Sequence, residues 1–158
     1  MMGLFSYHRG QCLAIRHPKK VGKLAITGAN LSPDTTDVFP EVLDIVAPSY
    51  KSVRNKKTLT DQEKTTFKLT GLLMEEPRIP YTALHKIQSP TLVIGGDHDV
   101  IREEHTLKIF QHLPKAYLWI VPNSGHATAI VYRDDFNRNV DAFFQKPYRK
   151  IEKEARFF

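Results

Sequence analysis

Two polar clusters in this chain of 158 residues carry the side chains that nucleophilic hydrolysis needs. Gly95-Gly-Asp-His-Asp99 directly follows the apolar run Thr91-Leu-Val-Ile94, and Pro122-Asn-Ser-Gly-His126 directly follows Ala116-Tyr-Leu-Trp-Ile-Val121. A carboxylate that orients an imidazole, and an imidazole that then acts as general base, form the acid–base core of such catalysis. Those roles fall to Asp99 and His126. Each also has a plain structural reading: Asp99 can cap the helix that follows it, and Gly125-His126 can be a solvent-facing turn. A metal site built from Asp97, His98 and Asp99 is disfavoured, because adjacent side chains diverge in an extended loop and no second ligand cluster exists in the sequence. His105 and His112, on one helical segment, read as surface or sheet-facing residues.

Elements that could position these loops follow from the apolar periodicity. Gln11–His17 reads as a helix end stopped by Pro18. Lys23-Leu-Ala-Ile-Thr27, closed by Gly28, is short enough for a buried strand. From Ser32 to Gln88 the texture changes to prolines, charges and helical spacing. Phe39, Val42, Leu43 and Val46 form one apolar stripe, and Thr60 with Glu63 forms a capping-box pattern opening a second helix through Phe67 and Met74. Thr91–Ile94 then begins a strand, loop, helix, strand sequence, with a helix over Glu103–Leu113 and the strand Ala116–Val121. A final helix carries Phe136, Val140 and Phe143 at i, i+4 and i+7. Strands alternating with helices predict an α/β fold with a parallel, doubly wound sheet. Ligands collect at the carboxyl ends of strands in such sheets, which is where Asp99 and His126 stand.

Taken together, these segments resemble the α/β-hydrolase fold family. Ile15-Arg-His-Pro-Lys-Lys-Val-Gly-Lys-Leu-Ala-Ile-Thr27 resembles the path from the nucleophile helix through a His-Pro into the sixth strand, and Gly28-Ala-Asn-Leu31 resembles the start of the cap. Ser89-Pro-Thr-Leu-Val-Ile-Gly-Gly-Asp-His-Asp-Val-Ile101 is similar to the seventh strand with its Gly-x-x-Asp loop, and Pro122-Asn-Ser-Gly-His126 to the loop presenting the catalytic histidine. The order acid then histidine also fits. The resemblance implies a partial α/β-hydrolase fold in which residues 1–31 are a remnant of the nucleophile helix and following strand. It makes 32–88 a helical cap insert and 89–158 the core bearing the acid and histidine loops. The implied activity is serine-type hydrolysis of esters, amides or related bonds in a small-molecule substrate. Asp99 would orient His126, and Phe39, Leu43, Phe67, Leu72 and Met74 would be apolar lining residues from the cap. No cofactor or metal is implied.

The family's nucleophile elbow is Gly-x-Ser-x-Gly, its glycines relieving a sharp turn. Here the corresponding stretch is Gly3-Leu-Phe-Ser-Tyr-His-Arg-Gly10, which makes Ser6 the nucleophile candidate although Leu4 and His8 hold the crowded positions. Cys12 falls inside the helix rather than at the turn. The family's earlier strands and its oxyanion loop have no counterpart after Met1, so the chain is expected to be a truncated hydrolase. Lys23–Thr27 is then expected to be a bare strand edge open to self-association. The alternative is a non-catalytic remnant or protein-interaction module using that edge.

Composition narrows the remaining classes. With 41% hydrophobic and 25% charged residues the chain is neither disordered nor fibrous, and its single cysteine, Cys12, excludes an internal disulfide and points to a cytoplasmic setting. No apolar run approaches the length of a membrane span, and Met1–Phe5 is too brief for a signal peptide. The net charge of +6 gathers at Lys51–Lys57 and Lys146–Arg156. Interleaved acids and sparse aromatics there favour solvated surface over nucleic-acid binding.

Overall fold

The computed structural model describes residues 2–6 and 9–151. Near-continuous apolar runs make strands buried on both faces, the habit of parallel sheets flanked by helices. Four such strands form one sheet in the order β1 (Met2–Ser6), β2 (Lys23–Thr27), β3 (Thr91–Gly96) and β4 (Ala116–Val121), every pair parallel. Leu24, Ala25 and Ile26 of β2 are wholly buried, and all six residues of β3 are buried.

Alternation along the strands divides the core in two. Leu24, Ile26 and Val93 face α1 (Arg9–Arg16), α4 (Glu103–His112) and the short 3-10 turn Tyr81–Lys86, with Ala14, Leu84, Ile87 and Ile109. Ala25, Leu92 and Ile94 face α6 (Arg133–Gln145), with Phe136 and Val140. Lys23 Nζ donates to the carbonyls of Phe143 (2.9 Å) and Phe144 (2.7 Å), so a cation from β2 closes the negative end of α6.

Residues 32–88 contain α2 (Pro40–Arg54) and α3 (Asp61–Met74). A full capping box opens α3: Glu63 N–H donates to Thr60 Oγ1 (3.3 Å), and Thr60 N–H donates to Glu63 Oε2 (2.9 Å). The Glu63 carboxyl is lowered to about 2, first by its bond from Lys56 and then by Thr60. Tyr50 of α2 stacks on Phe67 of α3 at 5.9 Å.

Two expectations are corrected. Lys23–Thr27 is not a bare edge, because β1 pairs with it along its whole length, Met2 opposite Lys23 through Ser6 opposite Thr27. The short N-terminal segment Met2–Ser6 therefore supplies the ladder hydrogen bonds that β2 was expected to lack. Of the two readings for His105, surface or sheet-facing, the surface one is overturned: its side chain is 0% exposed, enclosed by the chain just before α2 and just after α3. Among the described residues no helix is long and apolar enough to cross a membrane.

Candidate active site

Asp99 and His126 meet above the carboxyl ends of β3 and β4. His126 Nδ1 lies 2.7 Å from Asp99 Oδ1, and the Asp99 side chain is 2% exposed against 37% for His126. Burial pushes the Asp99 carboxyl up, but the bond and charge of His126, with N–H groups of Ile101 and Gly96, outweigh it and hold it below its ordinary value. The bond to Asp99 holds His126 above its ordinary value, against the opposing effect of burial. With Nδ1 committed to the acid, Nε2 is the nitrogen left to exchange protons with a reacting group, as a general base requires.

Backbone contact keeps the two loops together. His98 N–H donates to Ser124 O (3.0 Å) and Asp97 N–H to Val121 O (3.2 Å). The Asp97 carboxylate accepts from Asn123 N–H (2.9 Å) and Ser124 N–H (3.0 Å), fixing a turn in which Asn123 has φ +54°. His98 donates to the same carboxylate at 2.9 Å, and this bond leads the interactions that lower Asp97 to about 2. Ser124 Oγ and Thr128 Oγ1 are paired at 2.8 Å beneath the loop, and Tyr132 Oη holds Asn123 O at 2.9 Å.

Gly28 decides where the imidazole rests. Its φ of +51° favours glycine, and a Cβ there would lie 2.5 Å from His126 Cε1 and 2.8 Å from Nδ1. The ring thus packs directly on the backbone that leaves β2. Ser6 ends β1 opposite Thr27, the residue before Gly28, so its backbone reaches the same end of the sheet one strand away. Tyr7 and His8, between Ser6 and α1, lie outside the described residues.

The remaining sequence candidates are dispersed. Phe39 precedes α2, bonded through N–H to Val100 O at 3.0 Å and covered by the Arg102 guanidinium at 4.5 Å. Phe67 is engaged with Tyr50; Leu43, Leu72 and Met74 are half-buried on α2 and α3. None of the five lines the groove of about 620 Å³ bordered by Lys23, Leu92, Tyr117, Trp119 and Phe143, which opens toward the amino ends of the strands, away from the dyad. Asp97 and His98 are spent on loop structure, and no group of three or more His, Cys, Asp or Glu among the described residues is arranged to hold a metal.

In the sequence Asp97 stands out only within a disfavoured metal triplet, and Gly28 as the end of an apolar run and the start of the segment that resembles the cap. The signal for Asp97 was its place immediately after β3; its partners on the other loop had no sequence signature. Gly28 carried the ordinary mark of a turn glycine, and the imidazole above it could be found only in three dimensions.

No family model matches the chain. Serine hydrolase BPHL of Mus musculus is 23% identical over 143 residues, covering 84% of this chain and 49% of that protein. Among solved structures, the α/β hydrolase MGS-M2 from a Medee basin deep-sea metagenome superposes with TM-score 0.69 at 16% identity, over 94% of this chain and 66% of its own. The α/β hydrolase MGS-MChE2 from lagoon sediments of Mar Chica, Morocco, gives 0.66 at 22% identity, over 92% and 61%. CarC, a serine hydrolase involved in carbazole degradation, gives 0.65 at 18% identity, over 90% and 62%. The chain spans about half the length of the curated relative and less than two thirds of these structures.

Proposed function

We propose, because this chain carries part of an α/β-hydrolase fold, that its site performs the acid–base work of serine-type hydrolysis on an ester, amide or related bond of a small molecule. One observation carries the reading: a buried carboxylate holds one nitrogen of a half-exposed histidine and, among the described residues, leaves the other without a partner. In the cycle so read, Ser6 Oγ attacks the substrate carbonyl as His126 Nε2 takes its proton. Collapse of the tetrahedral intermediate returns that proton to the leaving group, and water then releases the acyl group by the same route. Asp99 fixes the ring and supports the transient imidazolium. Residues 32–88 act as the cap, with Phe39 at its base, bonded through its N–H to the carbonyl of Val100, the residue after Asp99.

The test is covalent labelling of the purified chain with a fluorophosphonate. Labelling is expected on native protein and is expected to vanish in Ser6→Ala. An unlabelled native chain, or an equally labelled variant, removes Ser6 from the reading.

A second reading, a protein-interaction module, is favoured by β1, which among the described residues has a strand neighbour on one side only. Open parallel edges present unpaired N–H and C=O groups to other chains. Concentration-dependent mass by light scattering is the expected result, with Leu4→Pro, a change that removes an edge N–H or a ladder donor, altering it. A monomer at all concentrations excludes self-pairing.

A further inference from the structure

Among the described residues one further Asp–His pair, Asp37 with His105, is buried on both sides, and both of its imidazole nitrogens are already used. His105 Nε2 accepts Leu31 N–H at 3.1 Å, so in the neutral ring the proton sits on Nδ1. That nitrogen faces Asp37 Oδ1 at 2.9 Å and Tyr81 Oη at 2.6 Å. Burial, ahead of the opposing charge of Asp37, lowers His105 from its ordinary value, in keeping with a neutral ring that accepts from an amide. Burial and the Asp37 charge likewise raise Tyr81 to about 12, keeping its hydroxyl protonated.

The partners come from both ends of the insert. Leu31 and Asp37 belong to the segment that leads into α2, and Tyr81 to the segment that returns from α3; Ile79 N–H donates to Leu31 O at 2.9 Å, tying the two together. Asp37 also grips the chain beyond the acid. Its carbonyl accepts Arg102 N–H at 2.9 Å, Val38 bridges Ile101, and Arg102 Nε donates to Thr35 O at 2.7 Å. Ile101 N–H in turn donates to Asp99 Oδ1 at 3.2 Å, and His105 N–H returns to Arg102 O at 3.0 Å. Asp37, Arg102 and His105 thus close a ring of contacts around the segment that leaves Asp99.

We propose that His105 is a positioning residue: with Asp37 it clamps both ends of the 32–88 insert to the acid loop and so holds Asp99 in register with His126. The inference rests on reading Asp99 and His126 as the acid–base pair. It makes the insert's seating and the orientation of the base one mechanical unit.

The test reads the ring of His126 by nitrogen-15 chemical shifts in the 158-residue chain, at a pH where the ring is neutral. Native protein is expected to show the Nδ1–H form. His105→Leu is expected to lose that preference toward the Nε2–H form of an unrestrained imidazole while keeping a cooperative unfolding transition. Asp37→Asn, which keeps an acceptor but removes the charge, is expected to shift the ring less in the same direction. A folded His105→Leu chain with native His126 shifts overturns the proposal; where that chain does not fold, native shifts in folded Asp37→Asn do so. A native chain lacking the Nδ1–H form overturns the acid–base pair and the clamp with it. Ser6 does not enter this readout, so absent fluorophosphonate labelling with shifted variant rings removes the nucleophile and leaves the clamp standing.

Discussion

His126→Ala is expected to slow fluorophosphonate labelling of Ser6 by on the order of 10⁴-fold, the scale on which hydrolases respond to a disabled triad member. The reason lies in the hydroxyl, which is a poor nucleophile until a base removes its proton. In the native chain the labelling rate is expected to rise with pH through a midpoint above 6.5, because the bond to Asp99 raises His126 and only the neutral ring can accept a proton. Asp99→Asn should reduce the rate and bring the midpoint down. A rate that is flat between pH 5 and 9, or unchanged in His126→Ala, means that the imidazole is not the base.

Stability of the pair has its own pH window. His126 is raised on folding, so its contribution is complete below about 6.5 and is lost as pH rises through the folded value. Asp99 is lowered, so its contribution is present above about 3.8 and is lost as pH falls through the folded value. Both describe one interaction, which is strongest between these limits, while the basic form needed for catalysis accumulates above them.

Gly96→Ala is expected to cost about 3 kcal/mol, a large share of the stability of an ordinary domain. A Cβ at Gly96 would lie 2.0 Å from Ser124 O, 2.6 Å from Ser124 C and 2.8 Å from Gly125 O. These are backbone atoms of the histidine loop, and no rotamer change can move them aside. Relief requires the loop to lift, breaking the bonds from Asn123 and Ser124 to Asp97 and parting His126 from Asp99. Gly28→Ala makes the contrast: its closest obstacle is the imidazole, which can rotate, so about 1 kcal/mol for the positive φ is expected alongside loss of the dyad geometry. Chemical denaturation read by Trp119 fluorescence checks both values. A Gly96→Ala midpoint equal to native would show that the loops are not packed as closely as the structure has them.

Much of the fold was legible because its signals are local. β2, β3 and β4 are runs of apolar residues bounded by turn residues, and the capping box of α3 needs only Thr60 and Glu63, three positions apart. β1 was missed as a strand because five residues carry too little pattern to be told from a loose terminus. Its pairing with β2 makes Met2–Ser6 the outer strand of the sheet among the described residues.

The candidate site divides in the same way. Residue types and their order after successive strands singled out Asp99 and His126, since parallel crossovers must set such loops side by side. Asp97, Gly28 and His105 act through partners far along the chain, and their types are equally compatible with a lining acid, a turn glycine and a surface histidine. By itself, then, the sequence determined the strand–helix alternation, the ends of the strands at which chemistry could stand and the side chains available there. Tertiary structure alone decided how the histidines are used. His105 is enclosed with both nitrogens bonded, while His126 has only Nδ1 bonded among the described residues, because hydrogen-bond partners and burial are set by segments that meet only when the chain has folded.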